Sequence, residues 1–392
     1  MKSRYDVIVI GGGLGGLTAA NRLAQGGYRV LLAEQHSQLG GLATFFRRRS
    51  HIFDVSLHGF PIGMKKSFRK YWGKAFSDRI IQVGSIRFDN PQFQLETTFD
   101  MTDFSRLMTG PFGLEAATVQ RFYDTLGSMN YYDDQSQRTR ELFETFFPGR
   151  TDVWRLLMEP ITYANGSTLD EPAISYGIVF GNFMSKGVYT FEGGTDLLIT
   201  MMEETLRSNG VDCECNAMAE NILLKNGRVD GVQINGQPVG ARAVVSNGSL
   251  VRTVHEWVGD DAFDTDFLEG FDREVQVSNS SAQVYIGIKP GEKVPYIGDL
   301  LFTSTHPTFD SEAISSRDVT SRTYSVYYPE IRPDTDQYTI VASMNARYDD
   351  WAHLTKADYR AGKKALVEDA LDALERYVPN VRRIMDYTEA AT

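Results

Sequence analysis

The apolar and polar positions fall into three successive styles along the chain. Residues Tyr5 to Ile10 read YDVIVI, a nearly unbroken apolar run, and predict a strand buried on both faces of a parallel sheet. Six residues follow as GGGLGG. Leu14, Leu17, Ala20 and Leu23 then recur at helical spacing until Gly26 and Gly27 stop the helix. A second apolar run from Tyr28 to Ala33 ends on Glu34, which completes a β-α-β unit. From about 57 to 185 the pattern changes to aromatic-rich segments with scattered helical spacing, Leu114 to Leu126 among them. At Val188 the first style returns: a Gly193-Gly194 turn, a helix from Leu197 to Arg207, and short strands at Asp212–Asn216, Asn221–Leu224, Val229–Ile234 and Ala241–Ser246. Asn226-Gly227 and Asn235-Gly236 between apolar runs predict hairpins. After residue 250 come strand-like runs at Ala282–Ile288, Thr323–Tyr328 and Tyr338–Ser343, then an amphipathic helix from about Lys356 to Tyr377 closed by Pro379.

This succession predicts an α/β protein. A Rossmann-like dinucleotide-binding domain, its parallel sheet extended by antiparallel strands, alternates with a discontinuous α+β substrate domain. The boundaries expected are 1–56 and 188–250 for the first, 57–187 and 251–392 for the second. The 392 residues have ordinary globular composition, with 42% hydrophobic and 23% charged residues, so a packed core is expected and disorder is not. A net charge of −11 argues against a nucleic-acid partner, because phosphates attract basic surfaces. No apolar stretch is long enough to span a bilayer and the N-terminal run is too short for a signal peptide, so a cytoplasmic location is expected. The sequons at Asn165, Asn247 and Asn279 then carry no meaning. Two cysteines, Cys213 and Cys215, allow neither a disulfide framework nor a four-cysteine zinc site. At i, i+2 they share a strand face and suit a structural role. The six histidines lack metal-ligand spacing, so no metal is expected.

The chemistry is concentrated near the N-terminus. In Gly11-x-Gly13-x-x-Gly16, the first glycine permits a tight turn, the second lets a pyrophosphate approach the backbone, and the third allows close helix–strand packing. The following helix N-terminus supplies positive partial charge. Glu34 closes the next strand and is placed to accept hydrogen bonds from a ribose, so the unit predicts an adenine dinucleotide site. Glu34 would repel a 2′-phosphate, which disfavours NADP and leaves NAD and FAD. Gly40 and Gly41, just after the second strand, would let backbone approach the pyrophosphate and flavin side of an extended FAD; an ordinary loop is the alternative.

The segments GGGLGGLTAA, LLAE, LGGLATFF and FDVSLH make the chain similar to the flavin-dependent amine-oxidase-like superfamily, and most similar to its branch of phytoene desaturases, carotenoid isomerases and retinol saturases. The stretches MEPITYANGSTLDEPAI and FEGGTDLLITMMEETLRSNGVDCECNAMAENILLKNGRVDGVQINGQPVGARAVVSN extend the likeness. The resemblance implies FAD contacts at Gly11, Gly13, Gly16, Glu34, Gly40, Gly41, Thr44 and Ala219. It implies an oxidoreductase that desaturates, saturates or isomerises carbon–carbon bonds of a long isoprenoid by hydride transfer with the flavin. A flavin amine oxidase and a flavin-free prenyl carrier of the GDP-dissociation-inhibitor type are the alternatives. Many superfamily members carry Arg after the paired glycines, where this chain has Leu42. In the resembled family the chain continues past VRRIMDYTEAAT with a further glycine-rich segment, so a C-terminal portion of the FAD domain is expected to be missing.

Catalytic residues are less legible. His58, in FDVSLHG, is the candidate for a group facing the flavin, with a hydrogen-bonded structural histidine as its alternative. Phe143, Phe146, Phe147, Tyr163, Tyr176, Phe180, Phe183 and Tyr189 would suit a hydrophobic small-molecule substrate such as a polyene, or else form core. Between 45 and 76, Arg47, Arg48, Arg49, Lys65, Lys66, Arg69, Lys70 and Lys74 face only Asp54, interleaved with Phe60, Phe68, Tyr71, Trp72 and Phe76. Such a segment would make peripheral contact with an anionic membrane. Solvated or intrachain charges are the alternative.

Overall fold

The computed structural model describes residues 2–130, 132, 136–184, 186–275, 280–316, 321–332 and 335–392, apart from the side chains of Asn165, Asn182, Phe183 and Met184. The sequon residue Asn279 and the rings or side chains of Phe183 and Asn165 thus lie outside it.

The first style of sequence builds a six-stranded sheet. Its order is Asp212–Glu214, β2 (Val30–Ala33), β1 (Arg4–Ile10), Gln237–Ser246, Arg228–Ile234 and Ala219–Lys225. The first four strands run parallel and the last two add antiparallel. Alternate residues of β1 and β2 serve opposite faces. Val9, Val30 and Leu32 pack with α1 (Leu14–Gln25) and the Gly194–Ser208 helix. Ile8, Ile10, Leu31 and Ala33 pack with Ile222, Val232 and Trp257. Each such fully buried aliphatic side chain contributes about 1.5–3 kcal/mol, which explains the unbroken apolar runs. The hairpin turns are as the Asn-Gly pairs predict: Asn226, Gly227, Asn235 and Gly236 all have positive φ.

A seven-stranded sheet forms the second layer, in the order Met385–Ala391, Ser280–Ile288, Thr339–Ala346, Ser321–Tyr327, Leu300–Ser304, Ile86–Asp89 and Gln94–Thr97. The Lys356–Leu374 helix covers part of it through Ala370, Leu371 and Leu374. The helices between 101 and 165 pack with Ile86, Phe88, Leu300 and Phe302.

Packing does not follow the change of sequence style at 57. Phe60, Phe68, Trp72, Phe76 and Ile80 share one core with Val9 and Leu17, and Phe60–Pro61 pairs with Val188–Phe191. Trp257, beyond the expected boundary at 250, likewise packs on the six-stranded sheet. Aromatic content marks a change of composition, and burial is decided by which apolar face remains open.

Candidate functional site

Parallel pairing of β1 with β2 and with Gln237–Ser246 brings three carboxyl-terminal strand ends together. Beyond them lies a cavity of about 660 Å³, within the range of small-molecule sites and at the crevice where open α/β sheets bind ligands. Gly11, Gly13, Glu34, Gly40, Gly41 and Ala219 all line it. Gly16 and Thr44 do not. A Cβ on Gly16 would land on the Gly11 carbonyl oxygen, so its glycine serves the contact between α1 and the loop. The Thr44 hydroxyl turns away and donates to the Leu39 carbonyl at 2.8 Å.

Glu34 is the organising side chain. It is buried, at 5% exposure, and both carboxylate oxygens accept backbone bonds: Oε2 from Gly12 N at 2.6 Å and Oε1 from His36 N at 2.9 Å. The carboxylate therefore ties the glycine loop to the strand end, and Glu34 also lines the cavity. Gly40 holds φ +114°, in the left-handed region, and its N donates to the Gly12 carbonyl at 2.8 Å. The two glycine clusters thus form one continuous wall, with Gly13 bridged to Gly40.

The opposite wall went unread in the sequence. The chain leaves Ser246 and turns at Asn247, whose N donates to the Ile10 carbonyl at 2.8 Å. Its carboxamide fills the space beside Gly13 and Gly15; a Cβ on Gly15 would sit 2.5 Å from Asn247 Oδ1. A π-helical turn, Arg252–Gly259, then carries Arg252 and Trp257 into the lining. The only available signal was the position of these residues directly after a parallel strand neighbouring β1.

His58 lies outside this lining. Its Nδ1 is 2.7 Å from the Tyr327 hydroxyl and its Nε2 is 3.1 Å from Gln283 Oε1. Burial holds the imidazole below its ordinary pKa. Nearby, Arg332 pairs with Asp54 and, at 2.7 Å, with Asp196, while Thr195 Oγ1 donates to Asp54 at 2.6 Å. Arg332, Asp54, Asp196 and Thr195 tie the His51–Asp54 strand and the Gly194–Ser208 helix to the segment after the Ser321–Tyr327 strand.

Four of the eight expected substrate aromatics are fully buried core. Phe143, Phe147, Phe180 and Tyr176 are at most 3% exposed, and Tyr176 stacks on Phe180 at 5.3 Å. The basic segment divides. Arg47, Arg48 and Arg49 pair with Asp196, Glu389 and Asp386, and Lys65 donates to the Ile80 carbonyl. Phe68, Trp72 and Phe76 point into the core, leaving Lys66, Arg69, Lys70 and Lys74 exposed, Lys74 in an ion pair with Asp78 at 3.8 Å. Cys213 is buried and Cys215 half-buried on one face, and burial raises both thiol pKa values. No group of three metal-ligating side chains occurs among the described residues, and no helix among them is long and apolar enough to cross a membrane.

Comparison with known proteins agrees with this geometry. Residues 9–75 match the family of NAD(P)-binding Rossmann-like domains. The chain is similar to 4,4′-diaponeurosporene oxygenase of Staphylococcus aureus, with 24% identity over 318 residues, covering 72% of this chain and 63% of that protein. Among solved structures it resembles an oxidoreductase from Methanosarcina mazei, at a TM-score of 0.67 and 16% identity over 99% of this chain and 86% of that one. It also resembles putrescine oxidase bound to putrescine, at 0.66 and 13% over 99% and 85%. Rab GDI from Plasmodium falciparum follows at 0.58 and 10% over 100% and 89%. These structures share the fold.

Proposed function

We propose that the chain is an FAD-dependent oxidoreductase acting on carbon–carbon bonds of a long isoprenoid or other polyene. The observation that carries the reading is the convergence of Gly11–Gly13, Gly40–Gly41 and Glu34 on one cavity. The first glycines and Glu34 suit the pyrophosphate and ribose of an adenine dinucleotide. The second pair extends the bare backbone wall beyond what a mononucleotide half needs, which favours FAD over NAD. Gly11, Gly13, Gly40 and Gly41 would bring backbone against the cofactor, Glu34 would hold the ribose, and Ala219 would border the adenine end. When bound, the flavin supplies hydride chemistry, and the protein supplies orientation and exclusion of water. Similarity to a carotenoid-pathway enzyme, together with the resemblance stated above, supports the substrate class.

Purified protein should carry or take up FAD, identified by its visible spectrum and by chromatography after denaturation. The loaded protein should then interconvert flavin redox states with an acyclic polyene and show no turnover of putrescine. Absence of any flavin binding would sink the reading and favour the carrier alternative; turnover of the amine alone would favour the oxidase.

Peripheral membrane contact belongs to the same proposal. It rests on the exposed Lys66, Arg69, Lys70 and Lys74 and on electrostatics, because the neighbouring aromatic rings are buried.

A further inference from the structure

The lining of the dinucleotide cavity contains, among the described residues, a single arginine or lysine: Arg252. A dinucleotide brings two negative charges on its diphosphate, and Glu34 adds a third to the same cavity. Leu42, beside the second glycine pair, offers no compensating charge and stands 76% exposed. Arg252 stands over the Trp257 ring, with its guanidinium carbon 5.3 Å from the ring centroid. Its Nε is 2.7 Å from Glu256 Oε2, an exposed carboxylate one turn on.

Trp257 supplies an independent observation. The indole lines the cavity yet is only 7% exposed, and its buried Nε1 has no hydrogen-bond partner among the described residues. A buried donor without an acceptor is costly, and native structures leave few of them. The ring is wedged against Gly248, where a Cβ would come within 2.5 Å of it, so that glycine is required for the indole to reach this place. Trp257 also shares a core with Ala217, Ala219 and Ile222, and Ala217 N donates to the Glu34 carbonyl at 2.8 Å. It therefore stands at the ribose end of the cavity.

We propose that Arg252 and Trp257 form a clamp on the adenosine diphosphate part of the ligand. The guanidinium neutralises diphosphate charge, for which Leu42 supplies no cation. The indole ring borders the base from the same wall. Glu256 competes with the ligand for the guanidinium and weakens the clamp. This rests on the dinucleotide reading of the cavity and names the residues that close it from the second wall.

Isothermal titration of the full chain with ADP and, separately, with FAD tests both levels. Arg252→Met should weaken ADP and FAD about tenfold, the scale of one charge-assisted hydrogen bond, and flatten the dependence of Kd on salt. Arg252→Lys should return to within about threefold of the parent. Glu256→Gln should tighten both ligands. Trp257→Phe should weaken them and remove the ligand-induced quenching of indole emission. The clamp is overturned if Arg252→Met, folded by circular dichroism, binds ADP within about twofold of the parent, or if Glu256→Gln leaves or lowers affinity. Should the parent bind ADP and reject FAD, the flavin reading fails and the clamp is judged on ADP alone. A parent that binds neither overturns both.

Discussion

At the scale of single residues, the cavity wall depends on a side chain that braces backbone as well as lining the space. Glu34 was expected to hold a ribose, and it also accepts hydrogen bonds from Gly12 N and His36 N. Glu34→Gln turns one of these acceptors into a donor facing an N–H. The substitution should cost about 1.5–3 kcal/mol, the range for hydrogen bonds to a charged group, in chemical denaturation. ADP affinity should fall with it; unchanged stability would show that the carboxylate does not brace the loop. Glycines and Glu34 were legible because their spacing is local. Asn247, Arg252 and Trp257 were not, since they reach the cavity from over 200 residues away through parallel strand pairing. The partners of His58, Tyr327 and Gln283, were not legible for the same reason: they come from distant strands.

At the scale of elements, the Thr151–Asn165 helix carries charge into the core. Arg155 and Glu159 are 0% and 1% exposed, with Arg155 Nε 3.4 Å from Glu159 Oε2. Arg155 also donates to Gln92 Oε1 at 2.9 Å and to the His306 carbonyl at 2.9 Å, joining the helix to the seven-stranded sheet and its loops. Arg155→Met should therefore destabilise by about 3–5 kcal/mol, since it strands a buried carboxylate. Burial pushes the Glu159 carboxyl up from 4.5 to about 7, against the opposing pull of Arg155. In that window the folded chain holds a proton that the unfolded chain has released. Stability should consequently fall as pH rises from about 4.5 to about 7 and level off above. Denaturation midpoints across this range should show the fall in the parent and a flatter profile in Glu159→Gln; equal slopes would refute the assignment.

At the scale of the molecule, a buried network links the seven-stranded sheet to the Phe45–Arg48/His51–Asp54 strand pair and to the helix that packs on the six-stranded sheet. Arg332, just past the Ser321–Tyr327 strand, reaches Asp54 of the His51–Asp54 strand and Asp196 in the first turn of the Gly194–Ser208 helix. Arg332→Met should cost about 3–5 kcal/mol, and Asp54→Asn in that background should recover part of it, because the stranded charge is then removed. Additive losses would mean that the two residues act separately. Charge is also distributed unevenly over the surface: the net is −11, yet Lys66, Arg69, Lys70 and Lys74 lie exposed on adjacent helices. Reversing Lys66 and Lys70 to Glu should abolish sedimentation with anionic vesicles at low salt while leaving ADP affinity unchanged. No sedimentation of the parent would remove the membrane proposal. The chain spans 63% of the length of the curated relative described above.

The sequence by itself determined the β-α-β unit, its glycine loop, Glu34 and the hairpin strands, because each follows from backbone sterics and periodicity over a few residues. Only the tertiary structure decided which aromatic rings are core, which basic residues are already paired, and which distant segment closes the cavity at the strand ends. Those outcomes depend on contacts between elements far apart in the chain, where burial and charge pairing are properties of the assembled surfaces and no local pattern encodes them.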